Sequence, residues 1–544
     1  MSNSLFTKKS IDSIIAQSEE KEHKLKRALS AFDLTFLGIG AIIGAGIFVL
    51  TGVAASIHSG PAVVLSFVVS GLACAFAALC YAEFASMIPV AGSAYTYAYA
   101  TLGQLLAWII GWDLILEYAV GSIAVSIGWS GYFVDLLHGI GIHIPTWACS
   151  PLPNGVNIPA AIIVTIITII LVIGIKESAK VNNIMVWIVL AVIILFVFLG
   201  IFWVRPDNWS PFIPFGWHGI MTGAAIVFFA YIGFDAVSTT AEEARKPQRD
   251  LPIGIIASLI ICTILYVAVA GVLTGILPVT EYSQNQNYLS APIAFALRII
   301  KQDWASGIIS IGAIAALTTT LLVMLMGQPR VFFAMSRDGL LPQKISRVHP
   351  RFQTPYITTI ITGVTVGAIA LLVPIGTAAE LCNIGTLFAF AIVSASVIIL
   401  RIVEPNRHRP FKTPLFYIIA PLGVLSALYL IYNLPVLTWF RFLVWLDIGF
   451  LIYYFYSRTH SRLGKPLKPF SLKSILEFFG FVIFMNGFLF AILAVLTVFD
   501  ITSIKTWQEV NLDPGKSLLY CGVLIGAGLV MWIVGKLTKT KGEL

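Results

Sequence analysis

Long apolar runs recur along this 544-residue chain and constrain its fold more than any other feature. A helix that crosses a bilayer needs roughly 20 consecutive, mostly apolar residues. Fourteen such segments can be read, from Leu34–Ser56 and Pro61–Glu83 at one end to Phe478–Val498 and Leu518–Gly535 at the other. The shortest, Phe442–Tyr456, contains Asp447. Charged residues make up 11% of the chain, whereas soluble domains carry about a quarter. Water cannot solvate a surface with so little charge. The expected fold is an all-α polytopic membrane protein with about 14 transmembrane helices.

The basic residues orient it. With the N-terminal tail in the cytoplasm, 28 of the 34 Lys and Arg residues fall on that side and 6 on the other. Loops of membrane proteins follow this positive-inside bias, so both termini of a multi-pass protein are expected in the cytoplasm, with the cell membrane as its location and lipid as its solvent. The net charge of +8 then reflects topology and gives no reason to expect nucleic acid as a partner. Five of the six cysteines lie in apolar segments and imply no disulfide framework. The eight histidines show no metal-ligand spacing, so neither a metal nor a cofactor is expected. A membrane-embedded enzyme would need catalytic acids or histidines clustered near one interface. The strong acids here sit singly on different helices, so the expectation is a protein that is not an enzyme.

Three spans break the apolar pattern. The first carries Gly38, Gly40, Gly44 and Gly46, four glycines in nine residues. Gly40 and Gly44 fit the Gly-x-x-x-Gly spacing of close helix packing. The alternative is a local unwinding, whose second half-helix would start with N–H groups able to bind a carboxylate. The sixth span, Ile220–Thr240, holds Phe228 to Val237 with Gly233 and Asp235 in its middle. A break at Ile232–Gly233 would free carbonyls toward a cation. The plainer role for Asp235 is capping a half-helix. The third span, Leu105–Leu136, holds Asp113 and Glu117, four residues apart and so on one helix face. Glu117 lies nearer mid-span, where it suits a proton carrier or a partner for an ammonium; a structural hydrogen bond is the plainer role, and both can hold. Intramembrane acids are rare and usually functional. Breaks five spans apart are the signature of two inverted five-helix repeats, which bring both breaks to the midplane. An N–H-rich break facing a carbonyl-rich break suits a zwitterion.

These residues also carry a resemblance. Gly38–Gly46; Tyr81–Pro89 with Ala91–Tyr95; Gly111–Tyr118; Phe228–Thr240 running into Glu242 and Glu243; and Gly327–Arg330 with Met335–Gly339 occur in the order seen in the amino acid–polyamine–organocation superfamily. The chain is most similar to the bacterial members of its cationic amino acid transporter branch, over roughly Leu25 to Leu400. The resemblance implies a secondary active L-amino acid transporter working by alternating access. Its domains would be a cytoplasmic tail (1–31), a first repeat (32–203), a second repeat (204–402), and accessory helices 11–14 with a C-terminal tail (403–544). The substrate carboxylate would meet N–H groups at Ile43, Gly44, Ala45 and Gly46. The ammonium would meet carbonyls of Ile42, Phe229, Ala230 and Ile232. Phe234 would act as a gate, Glu117 and Asp235 would tune the charge, and Met324 would limit the side-chain pocket.

Two departures bear on coupling. Many bacterial relatives have Thr where this chain has Ala45. They often have a lysine, thought to stand in for a sodium ion, where this chain has Val189, seven residues after Asn182. The eighth span carries Thr318, Thr319 and Thr320, whose hydroxyls could ligate sodium, near Thr318 and Thr319, or bond back to their own helix. The expectation is proton-coupled symport of small or neutral amino acids through Glu117. A cationic amino acid uniporter or exchanger and a sodium-coupled symporter are the alternatives. Glu83, Glu242, Glu243, Arg245, Lys246, Arg249, Arg330, Arg337 and Asp338 stand at cytoplasmic helix ends, where opposite charges could close an inner gate or simply face solvent.

Overall fold

The computed structural model describes residues 8–18, 29–90, 93–173, 179–241, 244–278, 286–342, 354–457 and 460–461, together with 345, 349 and scattered positions after 475. These residues are helical almost throughout, and no strand occurs among them beyond two isolated bridges. Among the described residues, eight helical stretches are long and apolar enough to cross a membrane, and four shorter apolar helices accompany them. Each expected span from the first to the twelfth falls on described helix, including the short one with Asp447, which is part of the apolar stretch Leu437–Ser457. There Asn486 Nδ2 donates to both Asp447 carboxylate oxygens at 3.0 and 3.1 Å. The thirteenth and fourteenth expected spans lie almost wholly outside the described residues, as do Glu242, Glu243 and the side chain of Arg337.

The chain forms two compact units. The larger comprises Lys8–Ala334 and Lys344–Leu434, and the smaller comprises Met1–Thr7, Met335–Gln343 and Pro435–Leu544. The larger unit begins with a short helix, α1 (Ile11–Ser18), before the first span. That span starts sharply at α2 (Ala31–Ile42): the Ser30 hydroxyl accepts from Asp33 N at 3.3 Å, and Asp33 Oδ2 accepts from Ser30 N at 2.9 Å. Such a reciprocal box satisfies two donors that a helix start leaves unpaired. α2 ends at Ile43, whose backbone is extended at φ −77° and ψ 99°. The span resumes as α3, which runs through Gly46–Leu50, Thr51–Ala54 and Ala55–Ser59 with wide π-helical turns at both ends.

The following helices are α4 (Val63–Met87), α5 (Ser93–Thr101), α6 (Gln104–Gly139), α7 (Ile158–Ile173) and α8 (Ala179–Gly200). The sixth span is also interrupted. α9 (Gly216–Val227) tightens into a 3₁₀ turn at Phe228–Tyr231, Ile232 is extended, and a single turn, α10 (Ala236–Thr239), follows. Then come α11 (Pro247–Ile276), α12 (Gln286–Ser290), α13 (Pro292–Ile299), α14 (Asp303–Arg337), α15 (Tyr356–Ala370), α16 (Ile375–Val403), α17 (Phe416–Tyr432) and α18 (Val436–Ile452).

A buried ion cluster ties α4 to α16 and to the segment leading into α17. Glu83, 2% exposed, accepts from Arg401 Nε at 3.0 Å and Nη2 at 2.6 Å. It also takes the Thr413 N–H at 2.8 Å, and Arg409 Nε lies 3.2 Å away. Arg409 spends its remaining donors on the carbonyls of Leu400, Glu404, Pro405 and Arg407. Glu83 therefore does not stand free at a helix end. Removing one partner of a buried ion pair strands the other and costs about 3–5 kcal/mol. Glu83→Ala is expected to destabilise the detergent-purified protein by about that amount, read from its unfolding curve. An unchanged unfolding midpoint would contradict the assignment.

Candidate functional site

The two interrupted helices cross at their breaks, and glycines make the crossing possible. A Cβ on Gly46 would collide with the backbone of Ala230. Gly233 has φ +119°, and a Cβ there would lie 2.7 Å from the Ala41 carbonyl oxygen. The first contact joins α3 to the 3₁₀ turn of the sixth span; the second joins that span's break to α2.

An interrupted helix leaves main-chain groups without helical partners, and in a membrane each must be satisfied internally. Three side chains from neighbouring helices do part of this. The Tyr266 hydroxyl on α11 lies 3.0 Å from the Ile42 carbonyl and 2.7 Å from the Ala230 carbonyl. The Thr320 hydroxyl on α14 lies 3.3 Å from the Ile43 carbonyl, while also close to its own helix at Ala316 O, 3.0 Å. Asn383 Nδ2 on α16 donates to Ala225 and Ile226 carbonyls at 2.7 and 3.0 Å, in the last turn of α9. Of the three, only Thr320 belongs to a motif read from the sequence, the threonine run of the eighth span.

Around this crossing Ile42, Ile43, Gly44, Ala45, Gly46, Phe229, Ala230, Ile232, Phe234 and Asp235 are all buried. Phe234 is part of an aromatic cluster, with ring centroids 5.8 Å from Tyr81 and 4.8 Å from Phe390. The cluster continues through Tyr97, 6.2 Å from Tyr81 and stacked on Phe84 at 5.1 Å. Met324 is buried against α6: a Cβ on Gly121 would lie 2.7 Å from its sulfur and 3.6 Å from the Cys382 sulfur. It therefore packs one helical turn beyond Glu117.

Three carboxyls are buried here: Asp113, Glu117 and Asp235, each 3% exposed or less. Asp235 directly precedes α10, and its side chain makes no capping hydrogen bond to that turn. Glu117 lies beside the Thr386 hydroxyl of α16, and Cys382 Sγ donates to the Glu117 carbonyl at 3.4 Å. Both Asp113 oxygens lack a hydrogen-bond partner among the described residues. Among those residues no Lys or Arg pairs with any of the three.

The threonines of α14 diverge. Thr318 donates to Ile314 O at 2.7 Å and accepts from Trp129 Nε1 at 2.9 Å, so it turns to α6 and away from the break. Thr319 donates to Ala315 O at 3.1 Å and lines a small cavity beside the break in helix 1. Val189, Val186, Met185, Ile39 and Ile43 are also in its wall, which is mostly hydrocarbon. Such a wall lacks the six or so oxygens that a hard cation requires.

Further ties join helix ends on either side of the crossing. At one, Asn183 Nδ2 donates to Asp33 Oδ1 at 2.8 Å, and Arg245 N donates to Leu29 O at 2.8 Å, joining the start of α2 to α8 and to the segment after α10. At the other, Arg298 on α13 pairs with Asp135 at the end of α6, and Ser310 donates to the same carboxylate at 3.1 Å. The sequence signal for this last pair is slight: Arg298 is one of the 6 basic residues on the sparse side.

Occupation of the crossing is sensitive to bulk at Gly44, where a Cβ would already lie 3.0 Å from the Thr320 hydroxyl. Gly44→Val is expected to abolish amino acid binding, measured as ligand-induced thermal stabilisation of the purified protein. Wild-type stabilisation in the variant would move the site elsewhere.

Residues 29–456 match the family described as amino acid permease. The chain is 52% identical over 472 residues to the branched-chain amino acid permease BcaP of Bacillus subtilis, covering 86% of this chain and 100% of that protein. It is 49% identical to the methylthioribose transporter of Bacillus subtilis, over 85% of this chain and 100% of that protein. It is 41% identical to the vacuolar cationic amino acid transporter 4 of Arabidopsis thaliana, over 74% of this chain and 68% of that protein. These relatives are transporters and not enzymes. With a crossing of two interrupted membrane helices at its centre and such relatives across most of its length, this chain belongs to the amino acid permease family.

Proposed function

We propose that this permease carries a small or neutral L-amino acid across the cell membrane by alternating access, with both termini in the cytoplasm and a proton as the coupled ion. The observation that carries the reading is the crossing itself. The Ile42 and Ala230 carbonyls meet at the Tyr266 hydroxyl and the start of α3 packs against Ala230, whereas the Ile43 N–H is spent on Ile39 O and the Phe229 carbonyl accepts from Ile232 N. The start of a helix favours an anion and freed carbonyls favour a cation, so the pair matches the two charges of an α-amino acid. The name of the BcaP relative adds support for an apolar side chain, as does Met324 against Gly121.

Residues 32–203 and 204–402 are read as two inverted repeats that rock against each other, with 403–544 as accessory. Coupling is assigned to protons through Glu117, which is buried without a basic partner among the described residues. Sodium is disfavoured because the Thr318 hydroxyl is committed to Trp129 and Ile314 and Val189 offers no ligand. One observation favours a second reading: three buried acids with no cation also suit a cationic side chain, as the name of the Arabidopsis relative would suggest.

Uptake into proteoliposomes tests both readings. Labelled L-valine or L-alanine should accumulate, and faster at acid outside pH, because the proton that Glu117 takes up outside crosses with the substrate and is released inside. Replacing sodium by choline should leave uptake unchanged. Glu117→Gln cannot exchange a proton, so its rate should no longer fall as pH rises. A variant with the wild-type pH profile would exclude Glu117 as the coupling group. Accumulation of L-lysine or L-arginine in place of the neutral amino acids would replace the first reading by the second.

A further inference from the structure

Tyr266 stands on α11, a helix with neither break, yet its hydroxyl reaches both interrupted helices. It lies 3.0 Å from the Ile42 carbonyl and 2.7 Å from the Ala230 carbonyl. A phenol has one proton to donate and each carbonyl oxygen has two lone pairs, so two acceptors share one donor and remain under-satisfied. The ring has no freedom to leave. It is 0% exposed and packs against Phe67 and Tyr231, with centroids 5.4 and 5.3 Å away. Tyr231 is itself tied down by its hydroxyl, which donates to Phe67 O at 2.8 Å.

We infer that Tyr266 is a positioning residue for the substrate's α-ammonium group: its hydroxyl holds the Ile42 and Ala230 carbonyls at a spacing that one ammonium nitrogen bridges, and it leaves each carbonyl a free lone pair. The inference rests on the reading that these carbonyls receive the ammonium. It adds a basis for selectivity. An ammonium brings three N–H donors and a charge to a place short of donors, whereas the hydroxyl of an α-hydroxy acid brings one proton and no charge. The preference for amino acids over hydroxy acids thus depends on how Tyr266 sets the two acceptors.

The test compares wild type with Tyr266→Phe, which keeps the ring and removes the donor. Uptake of labelled L-valine and L-alanine is measured in proteoliposomes, with 2-hydroxyisovalerate and L-lactate as competitors. In the variant the KM for the amino acid should rise about tenfold, the scale of one lost hydrogen bond near a charge. The maximal rate should stay within about twofold, and inhibition by the hydroxy acid should not change. An unchanged KM, or equal losses for amino acid and hydroxy acid, would overturn the inference. A wild-type carrier that takes hydroxy acids as well as amino acids, or takes neither amino acid, would instead overturn the reading beneath it. A second measurement does not depend on the variant folding. The fluorine resonance of 3-fluorotyrosine placed at 266 should shift on adding L-valine and not on adding 2-hydroxyisovalerate. A resonance unmoved by L-valine would also overturn the inference.

Discussion

Hydrocarbon does not hydrogen-bond, so a membrane helix can be interrupted only where other groups meet its freed main chain. An unsatisfied polar group there costs several kcal/mol. This chain interrupts two helices and brings the interruptions together. Tyr266, Thr320 and Asn383 reach in from three uninterrupted helices to meet the carbonyls around them. They do so incompletely, since Tyr266 serves two carbonyls with one proton. Under the proposed function, the ammonium of the substrate would supply the donors that these carbonyls lack.

The two kinds of contact around this centre differ in permanence. At the crossing the links are neutral hydroxyl and amide bonds, each worth about 0.5–1.5 kcal/mol, which a ligand could exchange or supplement. Away from it, Glu83 is held by two arginines and a main-chain N–H in a buried cluster. Breaking that cluster would expose several uncompensated charges to low dielectric. Such a difference suits a carrier in which a stiff scaffold surrounds a centre of small energetic steps. The aromatic packing of Phe234 on Tyr81 and Phe390 lies between these extremes, as it buries apolar area without fixing hydrogen bonds.

The two interruptions that frame the candidate site were legible in the chain, because their signals are local. Gly38, Gly40, Gly44 and Gly46 lie within one apolar run, and Gly233 and Asp235 within another. Glycine weakens a helix interior wherever it occurs, and a mid-span carboxyl needs a reason. The supports were not legible, because they are distant. Tyr266 is 36 residues from Ala230 and 224 from Ile42, and a tyrosine in an apolar run resembles packing. Glu83 reads as one more charge at a helix end, since its partner Arg401 is 318 residues away. Thr318 and Thr319 are neighbours in sequence, but successive helix positions diverge by about 100°, so one faces Trp129 and the other the cavity by Val189.

The central claim is that the two breaks together form one zwitterion site. A cryo-EM structure of the full-length protein with L-valine tests it most directly. The account predicts ligand density at the crossing, with the ammonium within hydrogen-bond distance of the Ile42 and Ala230 carbonyls and the carboxylate at the N–H groups of Gly44 to Gly46. Ligand density away from the crossing, or with the carboxylate toward Ala230, would contradict it.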